Sequence, residues 1–294
     1  MTSVRLRVSL LTISSLFGFF ISIPTHSPVF PKPAVKAAFT RSPQTPHSRS
    51  VAPPLLTATS VYILDLHSQT TLLAIKPNLR LPPASLTKIM TALVALDYYN
   101  PDTLLQVEGG PRSVGAKAEL VKDDLITVRD ALYALLVPSG NDAAVTLAEN
   151  FPGGYRKFVE KMNVKVASLG LANTNFVNVS GVDSPNHFTS VYDITMLAKQ
   201  ALDRPLLKSI VSTRKITLKS EKGNIYPLIT TNLLLGRPGV LGIKTGWTPQ
   251  AGECLVTLVD RNGHPIIISL LGSKDRFGET EKLINWVYTN FSWE

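Results

Sequence analysis

Cysteine is almost absent from this chain. Cys254 is the only one in 294 residues, so neither an intramolecular disulfide nor a cysteine-based zinc site can form, although export is not thereby excluded. The five histidines (His26, His47, His67, His187, His264) show no metal-ligand spacing, and neither a metal nor another cofactor is implied. No acidic residue precedes Asp65, whereas Arg5, Arg7, Lys32, Lys36, Arg41 and Arg49 all do. This N-terminal bias accounts for much of the net charge of +9. The remainder is only mildly basic, with no run of Lys or Arg on one face, which argues against nucleic-acid binding. The one uncharged apolar run, Val8 to Ile23, is shorter than the roughly 20 residues a comfortable membrane span needs. A phosphate loop is also missing, because Ile243 separates Gly242 from Lys244 where such a loop requires adjacent Gly and Lys. No internal repeat is visible.

What is present divides the chain. Arg5 and Arg7 ahead of an apolar run have the layout of a secretory signal, so residues 1–23 read as a signal peptide or a retained N-terminal anchor. Residues 24–54, rich in Pro, Ser and Thr, cannot bury enough surface to fold and are expected to form an extended linker. The folded domain is expected over 55–294. Residues 59–65 and 70–75 read as a strand hairpin. After Pro82-Pro83, the residues Leu86, Ile89, Met90, Leu93, Val94 and Leu96 recur at helical spacing and predict a helix to about Tyr99. Thr127-Val128-Arg129-Asp130 has capping-box chemistry with Asp in the usual place of Glu or Gln. Further helices are expected over 143–148 and 155–168, after Thr189 or Ser190, and from Pro205. From Lys215 the period changes to strands: a hairpin around Glu221–Asn224, a strand over 241–247, and two strands flanking Asn262-Gly263. A helix over 279–288 closes the chain. Strands at both ends with helices between them predict an α+β fold, its antiparallel sheet built from both chain ends beside a helical subdomain.

Three short motifs could carry chemistry. Ser85 and Lys88 lie three apart at a helix start and so share a face, in surroundings that are nearly all apolar. An amine held there is pushed toward its neutral form, which can take a proton from the hydroxyl. Alone, such a pair is most often a helix cap followed by a solvated lysine. Ser139-Gly140-Asn141 interrupts a helical region at a bend, where its side chains can point into a cleft. Lys244-Thr245-Gly246 falls on a predicted strand, where Gly246 lets a substrate backbone approach closely. Each motif is weak alone, but in this order and in these settings the three are strong.

With these motifs the sequence resembles the low-molecular-mass penicillin-binding proteins, the serine-type D-Ala-D-Ala carboxypeptidases, from about Thr57 to Phe291. The resemblance includes residues 83–91, 139–143, 169–176 and 242–248. It implies a DD-peptidase/β-lactamase-like fold and removal of the terminal D-Ala from peptidoglycan stem peptides ending in D-Ala-D-Ala. Ser85 would form the acyl-enzyme and Lys88 would take its proton. Ser139 would relay a proton toward the leaving D-Ala, while Asn141 would hold the acyl side chain and help order Lys88. Lys244 would supply positive potential, and Thr245 and Arg276 would bind the terminal carboxylate. The N–H groups of Ser85 and Trp247 would form the oxyanion hole, with Gly246 between the strand motif and the substrate. Covalent inhibition by β-lactams is implied. No Glu-x-x-Leu-Asn is present, so slow turnover of a bound β-lactam is expected. D,D-endopeptidase action on peptidoglycan crosslinks and a catalytically silent cell-wall-binding module of the same fold are the alternatives. The protein is expected at the extracytoplasmic face of the envelope, secreted or tethered, with any membrane contact through the N-terminal segment. Cys254, in a predicted strand, reads as a buried and inert thiol.

Overall fold

The computed structural model describes residues 44–108 and 114–294. The expected signal or anchor, 1–23, lies outside the described residues, as does the larger part of the expected linker. In chain order the elements are β1 (Pro46–Ser48), β2 (Ser60–Asp65), β3 (Thr71–Ile75), a 3-10 turn (Ala84–Leu86), α1 (Thr87–Tyr98), β4 (Leu104–Gln106), β5 (Leu125–Thr127), α2 (Val128–Leu136), α3 (Asn141–Glu149) and α4 (Gly154–Ser168). They continue with α5 (Val191–Leu202), α6 (Pro205–Val211), β6 (Lys215–Lys219), β7 (Ile225–Ile229), β8 (Val240–Thr248), β9 (Gly252–Arg261), β10 (His264–Ser273), α7 (Arg276–Asn290) and β11 (Phe291–Trp293). Among the described residues, no helix is long and apolar enough to cross a membrane.

Local chemistry sets several boundaries. The Thr127 hydroxyl accepts from Asp130 N at 3.0 Å and donates to the Asp130 carboxylate at 2.7 Å, which is the anticipated cap of α2. Ser190 caps α5 by accepting from Asp193 N at 3.1 Å. Asp275 does the same for α7 through Gly278 N at 2.9 Å, so the closing helix begins at Arg276, three residues before its predicted start. Helix α3 likewise begins earlier than predicted, at Asn141, because the polar bend ends on Gly140.

A five-stranded antiparallel sheet in the order β3-β2-β10-β9-β8 unites the two ends of the chain. Side chains alternate between its faces, and both faces are covered. Val61 and Ile63 of β2, Leu255 and Val259 of β9, and Ile266, Ile268 and Leu270 of β10 pack with Leu283, Ile284 and Val287 of α7. Tyr62, Leu64, Val256, Leu258 and Ile267 point the other way, into the larger core made with α1 to α6. The anticipated α+β architecture is therefore present, with α7 on one face of the sheet and the helical subdomain on the other.

The chain termini depart from expectation. Pro46–Ser48, within the stretch expected to be an extended linker, pair antiparallel with Phe291–Trp293. Strands this short carry no periodic signal, and their pairing joins residues more than 240 positions apart. Aromatic side chains fasten the join. The Trp293 ring stacks on His264 at 4.6 Å and its Nε1 donates to Asp65 at 2.8 Å, while Trp286 Nε1 donates to Val51 O at 3.2 Å.

Candidate active site

Ser85 lies at the centre of the 3-10 turn that feeds α1. Its hydroxyl does not cap that helix: the N-cap position is Leu86, and no side-chain cap bond is made. Lys88 Nζ lies 2.9 Å from Ser85 Oγ instead, and also donates to Ser180 O at 2.7 Å. The solvated lysine considered from sequence is thus excluded, because Lys88 is fully buried. Burial pushes its pKa well below the ordinary lysine value, and the charge of Lys244 adds to the effect, opposed in part by Asp142. When neutral, the amine keeps an N–H on Ser180 O and can turn its lone pair toward the Ser85 hydroxyl.

The other two motifs converge on the same place. Ser139 sits in the α2–α3 bend with a left-handed backbone (φ +67°), an arrangement uncommon for a residue with a side chain. Asn141, at the start of α3, donates through Nδ2 to Val114 O and through its backbone N to Ala116 O at 2.7 Å, while its Oδ1 is buried without a partner. The expected ordering of Lys88 is carried by Ser180 O, and the amide of Asn141 holds the 114–116 segment. Strand β8 forms the opposite wall. Thr245 Oγ1 lies 2.6 Å from Thr231 Oγ1, and Lys244 Nζ donates to Thr245 O at 3.1 Å. Gly246 runs directly beside the nucleophile turn: a Cβ there would sit 3.0 Å from Ala84 Cβ and 3.2 Å from Ser85 N. The open cleft between them has a volume of about 450 Å³ and takes in Ser85, Ser139, Asn141, Thr245, Trp247 and Arg276. Trp247, 60% exposed, leaves its ring free at the rim.

Positive charge collects on the β8 side. Arg276, half-buried at the start of α7, donates through Nη1 to Gly246 O at 2.8 Å, so it belongs to the site rather than to a solvated loop. Its Nε is buried and unpartnered. Lys244 is buried, and desolvation followed by the charge of Arg276 lowers its pKa to about 7. Among the described residues, no carboxylate forms an ion pair with Lys244 or Arg276. Two cations left in this way present a receptor for an external anion. Also among the described residues, no three His, Cys, Asp or Glu side chains gather closely enough to hold a metal ion.

Several contributors are not apparent from motifs. Ser180, Gly181, Asp183 and Thr231 line the cleft from irregular segments, and Ser180 acts through its backbone carbonyl. The Asp183 carboxylate accepts from Thr248 Oγ1 at 2.6 Å and from Gln250 N at 3.2 Å, fastening the chain just after Trp247. The buried Asp142 carboxylate accepts from the N–H groups of Ala118, Leu120 and Ala143 and ties the 118–120 segment to α3. Its position directly after Asn141 in the first turn of a helix was the one available signal. Cys254 is buried in β9, its thiol pKa raised to about 11 by burial, in keeping with an inert role.

Comparison with known proteins places this geometry. Residues 47–275 match the family model for D-alanyl-D-alanine carboxypeptidases. The chain is 32% identical over 224 residues to the D-alanyl-D-alanine carboxypeptidase DacF of Bacillus subtilis, covering 73% of this chain and spanning only 58% of that relative's length. It is 31% identical over 255 residues to the D-alanyl-D-alanine endopeptidase of Escherichia coli, covering 84% of this chain and 82% of that one. Among solved structures, the DD-transpeptidase of Streptomyces K15 superposes with a TM-score of 0.76 at 30% identity, over 81% of this chain and all of that one.

Proposed function

The chain belongs to the D-alanyl-D-alanine carboxypeptidase family, and from that premise we propose that it is a serine D,D-peptidase of peptidoglycan acting through an acyl-enzyme on Ser85. The observation that carries this reading is the 2.9 Å contact between Ser85 Oγ and a fully buried Lys88 amine, beside two cations, Lys244 and Arg276, whose side chains form no ion pair with a carboxylate among the described residues. Neutral Lys88 takes the hydroxyl proton as Ser85 Oγ bonds to the carbonyl carbon of a D-Ala residue. The backbone N–H groups of Ser85 and Trp247 receive the developing oxyanion. Collapse breaks the C–N bond, and a proton passing by way of Ser139 reaches the departing nitrogen. Asn141 holds the amide of the acyl peptide. Water then releases the acyl group and restores Ser85.

Lys244, Thr245 and Arg276 suit a carboxylate on the carbon next to the scissile nitrogen. A terminal D-Ala supplies one, and so does the D-centre of a diamino acid in a crosslink. Of these we favour the crosslink, making the enzyme a D,D-endopeptidase. Support comes from the match to the E. coli endopeptidase over more than four-fifths of both chains, and from a cleft whose rim at Trp247 is open to a larger leaving group. Release of terminal D-Ala is the second reading, supported by the carboxypeptidase relative. Incubation with a D,D-crosslinked muropeptide dimer should yield monomers faster than a D-Ala-D-Ala pentapeptide yields D-Ala. The reverse order of rates transfers the assignment to the second reading, and failure of a fluorescent penicillin to label the protein at all removes both. A substrate of this kind places the enzyme at the extracytoplasmic face of the envelope, with residues 1–23 as export signal or anchor ahead of a catalytic domain.

This reading also fixes a pH dependence. The rate constant for acylation by an anionic penicillin at low concentration reports on groups of the free enzyme. Lys244 attracts the carboxylate only when protonated, a form lost as pH rises through about 7. Lys88 acts only when deprotonated, so it sets the acid limb. The profile should therefore turn over and fall on the alkaline side of pH 7; a rate that climbs steadily to pH 9 removes Lys244 as the attracting charge.

A further inference from the structure

Behind the nucleophile turn lies a buried chain of hydrogen bonds that the reaction as described does not use. Val177 N–H donates to Nδ1 of His187 at 3.0 Å. With Nδ1 accepting, the ring proton of the neutral imidazole is on Nε2, which lies 2.9 Å from Thr87 Oγ1. Thr87, accepting there, has its own proton free for Ala84 O at 2.9 Å. Each member has one donor and one acceptor role, so the chain runs one way only, from Val177 through His187 and Thr87 to Ala84. Thr87 is fully buried and His187 nearly so.

The end point of this chain gives it meaning. Ala84 precedes the nucleophile and has φ +48°, a left-handed conformation that a residue with a side chain adopts at a cost. Its carbonyl belongs to the same planar, trans peptide unit as the N–H of Ser85, so holding the one aims the other in the opposite direction. Ala84 O lies against Gly181, where an added Cβ would fall 1.8 Å from it, so the N–H at the other edge of this peptide is turned away from Gly181, and Ser85 N lies 3.2 Å from where a Cβ on Gly246 of the β8 wall would sit. We propose that His187 is a positioning residue for acylation: through Thr87 it fixes the Ala84–Ser85 peptide plane and so aims the Ser85 N–H at the oxyanion. The same histidine fastens Val177, at the start of a strap that runs along α1. Thr91 Oγ1 holds Val179 O of this strap at 2.7 Å, and Lys88 holds Ser180 O. The imidazole therefore couples the strap to the turn in front of it.

This inference rests on the acyl-enzyme reading, and its test separates the two. Wild-type protein that fails to take a penicillin label removes the acyl-enzyme; only differences among labelled variants bear on His187. His187→Asn keeps an acceptor for Val177 N but loses the donor to Thr87, whereas His187→Gln keeps a donor at the Nε2 position. Thr87→Val removes the relaying hydroxyl at nearly constant shape, and Thr87→Ser retains it. Because an oxyanion donor acts in the transition state, the maximal acylation rate should fall while the concentration for half-maximal rate stays near wild type. About tenfold to a hundredfold slowing is expected for His187→Asn and Thr87→Val, part of the cost of deleting such a donor outright. His187→Gln and Thr87→Ser should remain within a few-fold of wild type. The double variant Thr87→Val/His187→Asn should be no slower than the worse single one, since both break one chain. Wild-type rates in either truncating variant, multiplicative losses in the double variant, or equal slowing by Gln and Asn at position 187 overturns the proposal. Where a truncating variant does not fold, the hydroxyl- and donor-retaining variants decide, and a loss above tenfold in either sinks it.

Discussion

Lys88→Met should lower the rate of acylation by a fluorescent penicillin by about three orders of magnitude or more and leave the fold standing. Methionine matches the length of the lysine stem and fills the same buried space. It removes the one group among the described residues in hydrogen-bond contact with Ser85 Oγ that can take a proton. An ordinary serine hydroxyl is a poor nucleophile without that transfer. The stability change has two opposing parts. Ser180 O loses a buried donor, worth about 1 kcal/mol. In exchange, no amine has to be desolvated, which offsets the lost bond because burying a chargeable group is costly. The melting temperature should therefore stay close to wild type. Lys88→Arg is the stricter companion: guanidinium keeps positive charge but cannot serve as a base, so it too should fail to acylate. Labelling within tenfold of wild type in a folded Lys88→Met protein would refute the base assignment, because among the described residues no alternative acceptor contacts the hydroxyl.

What the sequence discloses here depends on whether a contributor acts through its side chain or its backbone. In the proposed reaction Ser85, Lys88, Ser139, Asn141 and Lys244 act through side chains in compact motifs, and those motifs can be placed on elements from periodicity and turn residues alone. The sheet built from both chain ends is legible for a similar reason, since its strands are long, apolar and separated by strong turn signals. Ser180 carries no such mark. It contributes a carbonyl, which every residue has, from a segment without periodicity. Arg276 was foreseeable as a residue but not in its setting. Its place depends on Asp275 starting α7 early and on the helix packing that brings Nη1 to Gly246 O. The pairing of β1 with β11 was hidden because two three-residue strands at opposite ends of a chain have no local signature. His187 reads as a lone histidine with no partner in sequence, and its partners Thr87 and Val177 become neighbours only when α1 packs on the 173–189 segment.

Gly181→Ala should be the most damaging single-methyl change in the site, abolishing detectable acylation and destabilising the fold by about 2–4 kcal/mol in denaturant unfolding. Two independent costs combine at this position. The backbone has φ +90°, a conformation that L side chains rarely adopt. The added Cβ would also fall 1.8 Å from Ala84 O and 2.9 Å from Ser85 N, and both contacts are with backbone, which cannot rotate aside. Relief requires moving the Ala84–Ser85 peptide, the unit that carries the proposed nucleophile and the proposed oxyanion donor. Gly246 guards the opposite side of the same turn, but there the φ is not left-handed and the nearest contact is 3.0 Å from a methyl carbon. Gly246→Ala should accordingly be milder, slowing acylation by narrowing the gap between strand and turn while costing less stability. The order of the two variants is the test. The nucleophile turn is held between two glycine backbones and its peptide plane is set from behind by Thr87, so a methyl group on the rigid side displaces Ser85 and one on the yielding side crowds it. If Gly181→Ala acylates faster than Gly246→Ala, or unfolds at the wild-type midpoint, the turn is not held as these contacts require.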